Sequence, residues 1–170
     1  GNPFHPTSDF LLKIADKYKF TIFGTSAKYI SSLENLNVSP KNISNFPFLK
    51  SILSTGSPLM DENYEFVYQS WKKEVQLSSI SGGTDIISCF ALGNPNLPVY
   101  KGELQCRGLG MAVKAFNPKG EAVINKTGEL VCVKPFPSMP VYFWNDPSDE
   151  KYLSAYFLEF TGFWTHGDFI

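Results

Sequence analysis

The sequence predicts an α/β fold, with a partial parallel sheet and its helices first and a small β-barrel-like antiparallel subdomain after it. The first part is predicted because helical and strand-like segments alternate strictly from Thr7 to Ser81, a pattern typical of parallel strands joined by right-handed crossovers. The second part is predicted because short strands separated by Pro/Gly turns follow Asn94. We therefore expect two domains, an α/β portion over 1–93 and a β-rich portion over 94–170.

Periodicity defines each element of the first half. After a possible cap at Thr7–Asp9, Phe10, Ile14 and Tyr18 recur every fourth residue and predict one buried helix face. Two more helices follow, and the three strands read KFTIFG, LKSILST and VQLSSIS. The carboxyl ends of parallel strands meet at one edge of the sheet, which is where open α/β sheets bind ligands.

The second half reads as hairpins and one short helix. MAVKAF and EAVI flank the turn NPKG, whose proline and glycine suit a tight hairpin. GELVCVKP is a further strand, a short helix is expected near 149–157, and GFWTHGDFI closes the chain with a strand and a Gly-Asp turn.

Composition excludes several classes of function. The chain has a net charge of -1 over 170 residues, with both signs interspersed. This charge pattern does not predict the basic surface that binding to nucleic acid or an anionic membrane requires. No apolar run approaches the roughly 20 residues of a membrane span, and no targeting segment is recognised at the N-terminus. The isolated Cys89, Cys106 and Cys132 favour buried thiols in a reducing cytoplasm. His5 and His166 lack metal-ligand spacing, so hydrolytic zinc chemistry is unsupported.

Three stretches could carry chemistry. In SISGGTD, the amides of Gly82 and Gly83 can approach an anion, Thr84 adds a donor and Asp85 suits Mg²⁺. The alternative is an ordinary loop in which Asp85 caps its neighbours. On the final turn, Asp168 could hold the two hydroxyls of a ribose through charge-assisted hydrogen bonds, or it could be a surface turn aspartate.

STGSPL is the third stretch. Its backbone polar groups, at Gly56–Pro58, could form hydrogen bonds with the edge of a heterocycle. The alternative is the start of a helix, with Ser57 as the cap and Pro58 in the first helical position. None of the three stretches decides the function alone.

Their order is more specific. STGSPL, SISGGTD, TGELVCVKPFPSMP and GFWTHGDF, in this order and spacing, resemble the adenylate-forming acyl-CoA synthetase superfamily over essentially the whole chain. SISGGTD resembles its Y-G-x-T-E stretch, TGEL its G-E-L strand and GFWTHGD its G-x-W-x-x-G-D segment. Within the superfamily the chain is most similar to the enzymes that activate acetoacetate. The resemblance implies a two-step ligase with ATP, Mg²⁺ and coenzyme A, in which an acyl-adenylate forms and the thiol of coenzyme A then displaces AMP.

The resemblance also implies roles for individual residues. Asp85 would help to place Mg²⁺, Thr84 would act catalytically on a phosphate oxygen, and Asp168 would hold the ribose. Gly82 and Gly83 would line the acyl pocket. The residues implied in nucleotide binding are Gly56, Ser57, Pro58, Ser81, Gly82, Gly83, Thr84 and Asp168.

Two positions depart from the superfamily pattern. Asp85 stands where Glu is usual, so a water bridge to the metal is expected in place of direct contact. Gly82 stands where acetate-specific members carry Trp, which predicts room for an acid longer than acetate. The phosphate loop upstream and the hinge and lysine-bearing domain downstream are expected elsewhere in the polypeptide, so this stretch should be inactive alone. The alternatives are another adenylating enzyme, such as a short-chain acyl-CoA synthetase or a peptide-synthetase domain, and a non-catalytic α/β binding domain.

Overall fold

The computed structural model describes residues 2–170 and divides the chain into two compact units. The first unit comprises the chain up to Ser81 together with Ala91–Cys106, and the second comprises Gly82–Phe90 together with Arg107–Ile170. Each unit has an apolar core of its own. A single domain boundary between residues 93 and 94 stays a prediction, and Gly1 lies outside the described residues.

Helices and strands of the first unit alternate in the predicted order. They are α1 (Phe10–Lys17), β1 (Ile22–Ser26), α2 (Ala27–Asn35), β2 (Ser51–Thr55), α3 (Asp61–Phe66) and β3 (Gln76–Ser79). A 3-10 turn at Pro40–Asn42 precedes β2, and a π-helical turn at Val67–Trp71 extends α3. Ser26 caps α2, because its hydroxyl accepts a hydrogen bond from the Tyr29 amide at 3.1 Å.

The three strands form a parallel sheet in the order β1-β2-β3. Ser26 at the end of β1 pairs with Thr55 at the end of β2, and Ser54 pairs with Ser79 at the end of β3. The carboxyl ends therefore lie side by side, which confirms the parallel sheet. The third strand is shorter than its sequence predicts, since β3 ends at Ser79.

The core of the first unit corrects the predicted face of α1. Leu12 and Ala15 are buried, whereas Phe10 and Tyr18 are exposed. The apolar residues of FLLKIA form a broad surface on the helix, so the spacing of every fourth residue alone could not select which part of that surface is buried. The core residues of this unit include Leu12, Phe23, Ile30, Leu33, Ile52, Tyr64, Val67, Trp71 and Leu77.

Three short strands lie where the chain passes between the units. They are β4 (Ser81–Gly83), β5 (Ser88–Leu92) and β6 (Cys106–Arg107), and they form a sheet in the order β4-β5-β6. A tight turn joins β4 to β5: the Ile87 amide donates to the Thr84 carbonyl at 3.2 Å. Thr84 and Asp85 occupy exposed positions on this turn.

The second unit contains an open antiparallel sheet with one helix. Its elements are β7 (Val113–Phe116), β8 (Ala122–Val123), β9 (Glu129–Cys132), α4 (Glu150–Tyr156) and β10 (Trp164–Phe169). The sheet order is β10-β9-β7-β8, with the predicted hairpin between β7 and β8. The antiparallel strands are confirmed, but no barrel closes within residues 2–170, because the sheet ends at the two-residue strand β8 on one side and at β10 on the other.

Trp164 lies at the centre of the second core and is 1% exposed. Its ring stacks on Tyr156, with centroids 3.7 Å apart and planes at 15°, and meets Phe136 edge-on at 5.4 Å. This packing holds α4 against the start of β10. Across residues 2–170, no helix combines the length and the apolar character needed to cross a membrane.

Candidate functional site

One predicted nucleotide-binding segment lies at the carboxyl edge of the parallel sheet. Gly56–Pro58 follows β2 directly and is exposed. Gly56 has a φ of 85°, a left-handed conformation that glycine adopts without strain. The alternative in which Ser57 caps the next helix is wrong, since α3 begins at Asp61. Ser81, also a predicted nucleotide residue, follows β3 in the same unit, and contact of either segment with adenine or phosphate stays a prediction.

In the second unit, His166 lies between the double glycine and the terminal aspartate. Its Nε2 is 3.2 Å from the carbonyl oxygen of Gly82 and 3.7 Å from Oδ2 of Asp168. The side chain is 12% exposed, and its ring packs edge-on against Phe90 with centroids 4.8 Å apart. Asp168 is 62% exposed. One side chain thus connects the predicted acyl and phosphate segment to the predicted ribose residue.

Both glycines of β4 are in close contact with their surroundings. A Cβ added at Gly82 would lie 2.2 Å from the carbonyl oxygen of Ser88, and one added at Gly83 would lie 3.1 Å from Cε1 of His166. Neither position accepts a side chain unless a neighbour moves. Close approach is therefore a reason for glycine at both positions, and the wider acyl pocket at Gly82 stays a prediction.

Asp85 is hydrogen-bonded to α4. The Tyr156 hydroxyl donates to Oδ2 of Asp85 at 2.5 Å. Burial, together with this hydrogen bond, raises the pKa of Tyr156 to about 12, so the phenol keeps its proton at neutral pH. Residues 2–170 contain no cluster of three or more His, Cys, Asp or Glu side chains that could hold a metal ion. A single exposed carboxylate fits Mg²⁺ that is held mainly by substrate phosphates and water.

Glu129 is a buried carboxylate beside the Gly-Asp turn. It is 7% exposed, and its Oε1 accepts a hydrogen bond from the Gly167 amide at 2.7 Å. Burial raises the pKa of Glu129 above its ordinary value of 4.5, against the lowering effect of the Gly167 hydrogen bond. The negative charges of Glu159 and Asp168 raise this pKa further, and His166 lowers it.

Comparison with known proteins finds close relatives of this chain. No protein-family model matches the chain. The chain is 50% identical over 169 residues to acetoacetyl-CoA synthetase of Xenopus tropicalis, 52% identical to that of Mus musculus and 51% identical to acetoacetyl-coenzyme A synthetase of Rhizobium meliloti, and each match covers 99% of this chain. Along 99% of its length, the chain is therefore similar to one part of the acetoacetyl-CoA synthetases. A solved acetoacetyl-CoA synthetase from Streptomyces lividans has the same fold, with a TM-score of 0.90 and 38% identity over 99% of this chain.

The acetoacetyl-CoA synthetases are much longer than this chain. The chain spans 25% of the length of the Xenopus and mouse relatives and 26% of the Streptomyces chain. The superfamily recognised from four spaced motifs is confirmed, and these coverages are those expected of one piece of such an enzyme.

Three residues at the site carry no role in the sequence-based prediction. Glu129 begins a strand whose four residues are all buried, and a charged residue among apolar ones was the available signal. His166 was set aside because it lacks metal-ligand spacing, although its position two residues before Asp168 was visible in the sequence. No local pattern distinguishes Tyr156 from its aromatic neighbours on α4.

Proposed function

We propose that the protein carrying this chain is an ATP-dependent, AMP-forming acetoacetate–CoA ligase. In the first step the acetoacetate carboxylate attacks the α-phosphate of ATP and pyrophosphate leaves. In the second step the thiol of coenzyme A attacks the acyl carbonyl and AMP leaves, which gives acetoacetyl-CoA. The observation that carries the proposal is the identity of about half of all residues to acetoacetyl-CoA synthetases along 169 positions.

In the second unit, His166 is a neighbour of three residues proposed to act on the substrates, namely Gly82, Gly83 and Asp168. The amides of Gly82 and Gly83 and the hydroxyl of Thr84 would stabilise charge on the α-phosphate as it is attacked, the usual large electrostatic contribution to such a step. Asp168 would accept hydrogen bonds from both ribose hydroxyls. The exposure of Asp168 and its proximity to Gly82 through His166 support this arrangement.

The remaining roles involve the first unit and groups from outside this chain. Gly56–Pro58 would border the adenine, supported by its exposure at the carboxyl edge of the sheet. Mg²⁺, when bound, would neutralise phosphate charge, and Asp85 would hold it through a water because this carboxylate also accepts from Tyr156. The lysine needed for adenylation and the phosphate loop would come from the rest of the polypeptide.

The proposed partners are therefore small molecules, namely acetoacetate, ATP and coenzyme A, and not nucleic acid or a membrane. We place the enzyme in the cytoplasm because Cys89, Cys106 and Cys132 are all free thiols.

The test is a substrate assay on the full-length protein. Acetoacetate, butyrate, acetate and a mixture of amino acids are each incubated with ATP, Mg²⁺ and coenzyme A, and the thioester and AMP are quantified by mass spectrometry. We expect acetoacetyl-CoA and AMP in equal amounts, with acetoacetate as the best acid. Release of ADP, or adenylation of amino acids without a thioester product, would contradict the proposal.

The role of Asp168 is tested in the same assay. Replacing Asp168 with Ala removes charge-assisted hydrogen bonds of about 1.5–3 kcal/mol each, so kcat/KM for ATP should fall by roughly 10- to 150-fold per bond lost. The exposed hairpin residue Glu121, changed to Gln, is the matched control and should leave kcat/KM unchanged.

A further inference from the structure

The Gly-Asp turn is a bulge in the ladder between β9 and β10. Thr165 pairs with Val131 and Phe169 pairs with Glu129, so three residues of β10 stand where β9 has only Leu130 between the pairs. The ladder resumes immediately afterwards, because Gly128 and Ile170 exchange two backbone hydrogen bonds of 2.9 Å. Asp168 belongs to the segment that bulges out of the sheet.

Gly167 sets the conformation of this bulge. Its φ is 88°, in the left-handed region, while a Cβ added there would meet no atom within 4 Å. Glycine is therefore required by the backbone conformation and not by lack of space. A bulged amide of this kind loses its partner in the ladder and needs another acceptor.

Glu129 supplies that acceptor. Glu129 is buried on β9, where it pairs with Phe169 at the end of the bulge, and its Oε1 accepts from the Gly167 amide at 2.7 Å. A charge-assisted hydrogen bond of this length is stronger than a neutral one. It holds the residue immediately before Asp168, while the Asp168 side chain itself is 62% exposed and accessible to a ligand.

We propose that Glu129 is a positioning residue for the nucleotide: through the Gly167 amide it fixes the bulge that aims Asp168 at the ribose hydroxyls. This inference rests on the proposed function, because it takes Asp168 as the ribose-binding residue. Glu129 does not touch the substrate. Its contribution should therefore appear in discrimination for the ribose hydroxyls and not in the use of the acid.

The experiment uses the full-length protein and compares ATP with 2′,3′-dideoxy-ATP, which lacks both ribose hydroxyls. The readout is the ratio of kcat/KM for the two nucleotides. Glu129→Gln keeps an acceptor oxygen, Glu129→Ala removes it, and Glu129→Asp retracts it from the Gly167 amide. Asp168→Ala and the double variant Glu129→Ala/Asp168→Ala complete the set. Glu159→Gln is the matched control, because it removes an exposed negative charge that acts on Glu129.

Asp168→Ala should lower the ratio by at least about 10-fold, corresponding to the loss of one charge-assisted hydrogen bond. Glu129→Ala and Glu129→Asp should each lower the ratio by about 5- to 10-fold with KM for acetoacetate unchanged, and adding Glu129→Ala to Asp168→Ala should lower it no further. Glu129→Gln and Glu159→Gln should keep the ratio of the unmodified protein. If Glu129→Ala does not fold, Glu129→Asp carries the test.

Two outcomes overturn the inference, and they differ. If Asp168→Ala lowers the ratio while Glu129→Ala and Glu129→Asp keep it, Glu129 has no positioning role and the ribose assignment stands. If Asp168→Ala itself keeps the ratio, the ribose assignment fails and the positioning role falls with it.

Discussion

The contact between Gly83 and His166 can be measured with a double-mutant cycle. Replacing Gly83 with Ala places a Cβ 3.1 Å from Cε1 and 3.8 Å from Nε2 of His166, whereas carbon atoms in contact prefer about 3.5–4.0 Å. The imidazole has little freedom to retreat, because it packs against Phe90 and its Nε2 lies 3.2 Å from the Gly82 carbonyl.

The expected magnitude is the difference between two opposing effects. Overpacking typically costs about 1–3 kcal/mol, whereas the smaller conformational entropy of an unfolded chain with Ala in place of Gly stabilises by about 0.4–1 kcal/mol. We expect Gly83→Ala to lower the free energy of unfolding by about 1–2 kcal/mol. In the His166→Ala background only the entropy effect remains, so the same change should be neutral or stabilising. The coupling energy should then be about 1–3 kcal/mol.

The assay is urea unfolding of the four proteins of the cycle, followed by tryptophan fluorescence and by circular dichroism. Coincident transitions by the two probes are required, because the chain forms two compact units. Gly24→Ala is the matched control, since a Cβ at Gly24 meets no atom within 4 Å, and it should not couple to His166. A coupling between Gly83 and His166 below about 0.5 kcal/mol would refute the packing described for this pair.

Three further predictions concern other hydrogen bonds. Tyr156→Phe should lower the free energy of unfolding by only about 0.5–1.5 kcal/mol, because the exposed Asp85 carboxylate can bind water instead. In an Asp85→Ala background this loss should disappear. Its persistence would count against the hydrogen bond between Tyr156 and Asp85. Because the pKa of Glu129 is raised in the folded state, its contribution to stability declines as pH rises from about 4.5 to that raised pKa and is constant above it. Glu129→Gln should therefore gain stability relative to the unmodified chain across this window, and parallel pH profiles in urea unfolding would be the contrary result. The Lys72 ammonium donates to two backbone carbonyls at 2.6 and 2.8 Å, so Lys72→Met should lower the free energy of unfolding by about 1–3 kcal/mol in thermal or urea unfolding. The exposed control Lys73→Met should change the free energy of unfolding little. Equal effects of the two substitutions would show that the Lys72 hydrogen bonds are not stabilising.

Local pattern predicted most of the elements in the chain. The turn at 117–120 and its hairpin were predicted correctly because proline and glycine restrict the backbone within a few residues. The short helix expected near 149–157 is present at Glu150–Tyr156. The buried face of α1 was not predicted correctly, because the apolar residues of that helix cover a broad surface and only packing into the core selects Leu12 and Ala15.

The arrangement of the candidate site was accessible only in part. The motif order identified the superfamily and named Gly82–Asp85 and Asp168 as candidates, but no sequence pattern indicated what lies between them. His166 contacts Gly82 across 84 positions of sequence, Tyr156 contacts Asp85 across 71, and Glu129 contacts Gly167 across 38. Nor could composition distinguish an open four-stranded sheet from a barrel, because closure depends on which edge strands pair.

By itself, the sequence determined the class of fold, the succession of helices and strands, and the resemblance to acyl-CoA synthetases, since each of these is encoded by periodicity over a few turns or by the spacing of short motifs. Only the tertiary structure decided that an imidazole separates the double glycine from Asp168 and that a buried carboxylate holds the bulge before it. The physical reason is that burial and hydrogen-bond partnership belong to pairs of residues, and the members of these pairs become neighbours only when distant strands align.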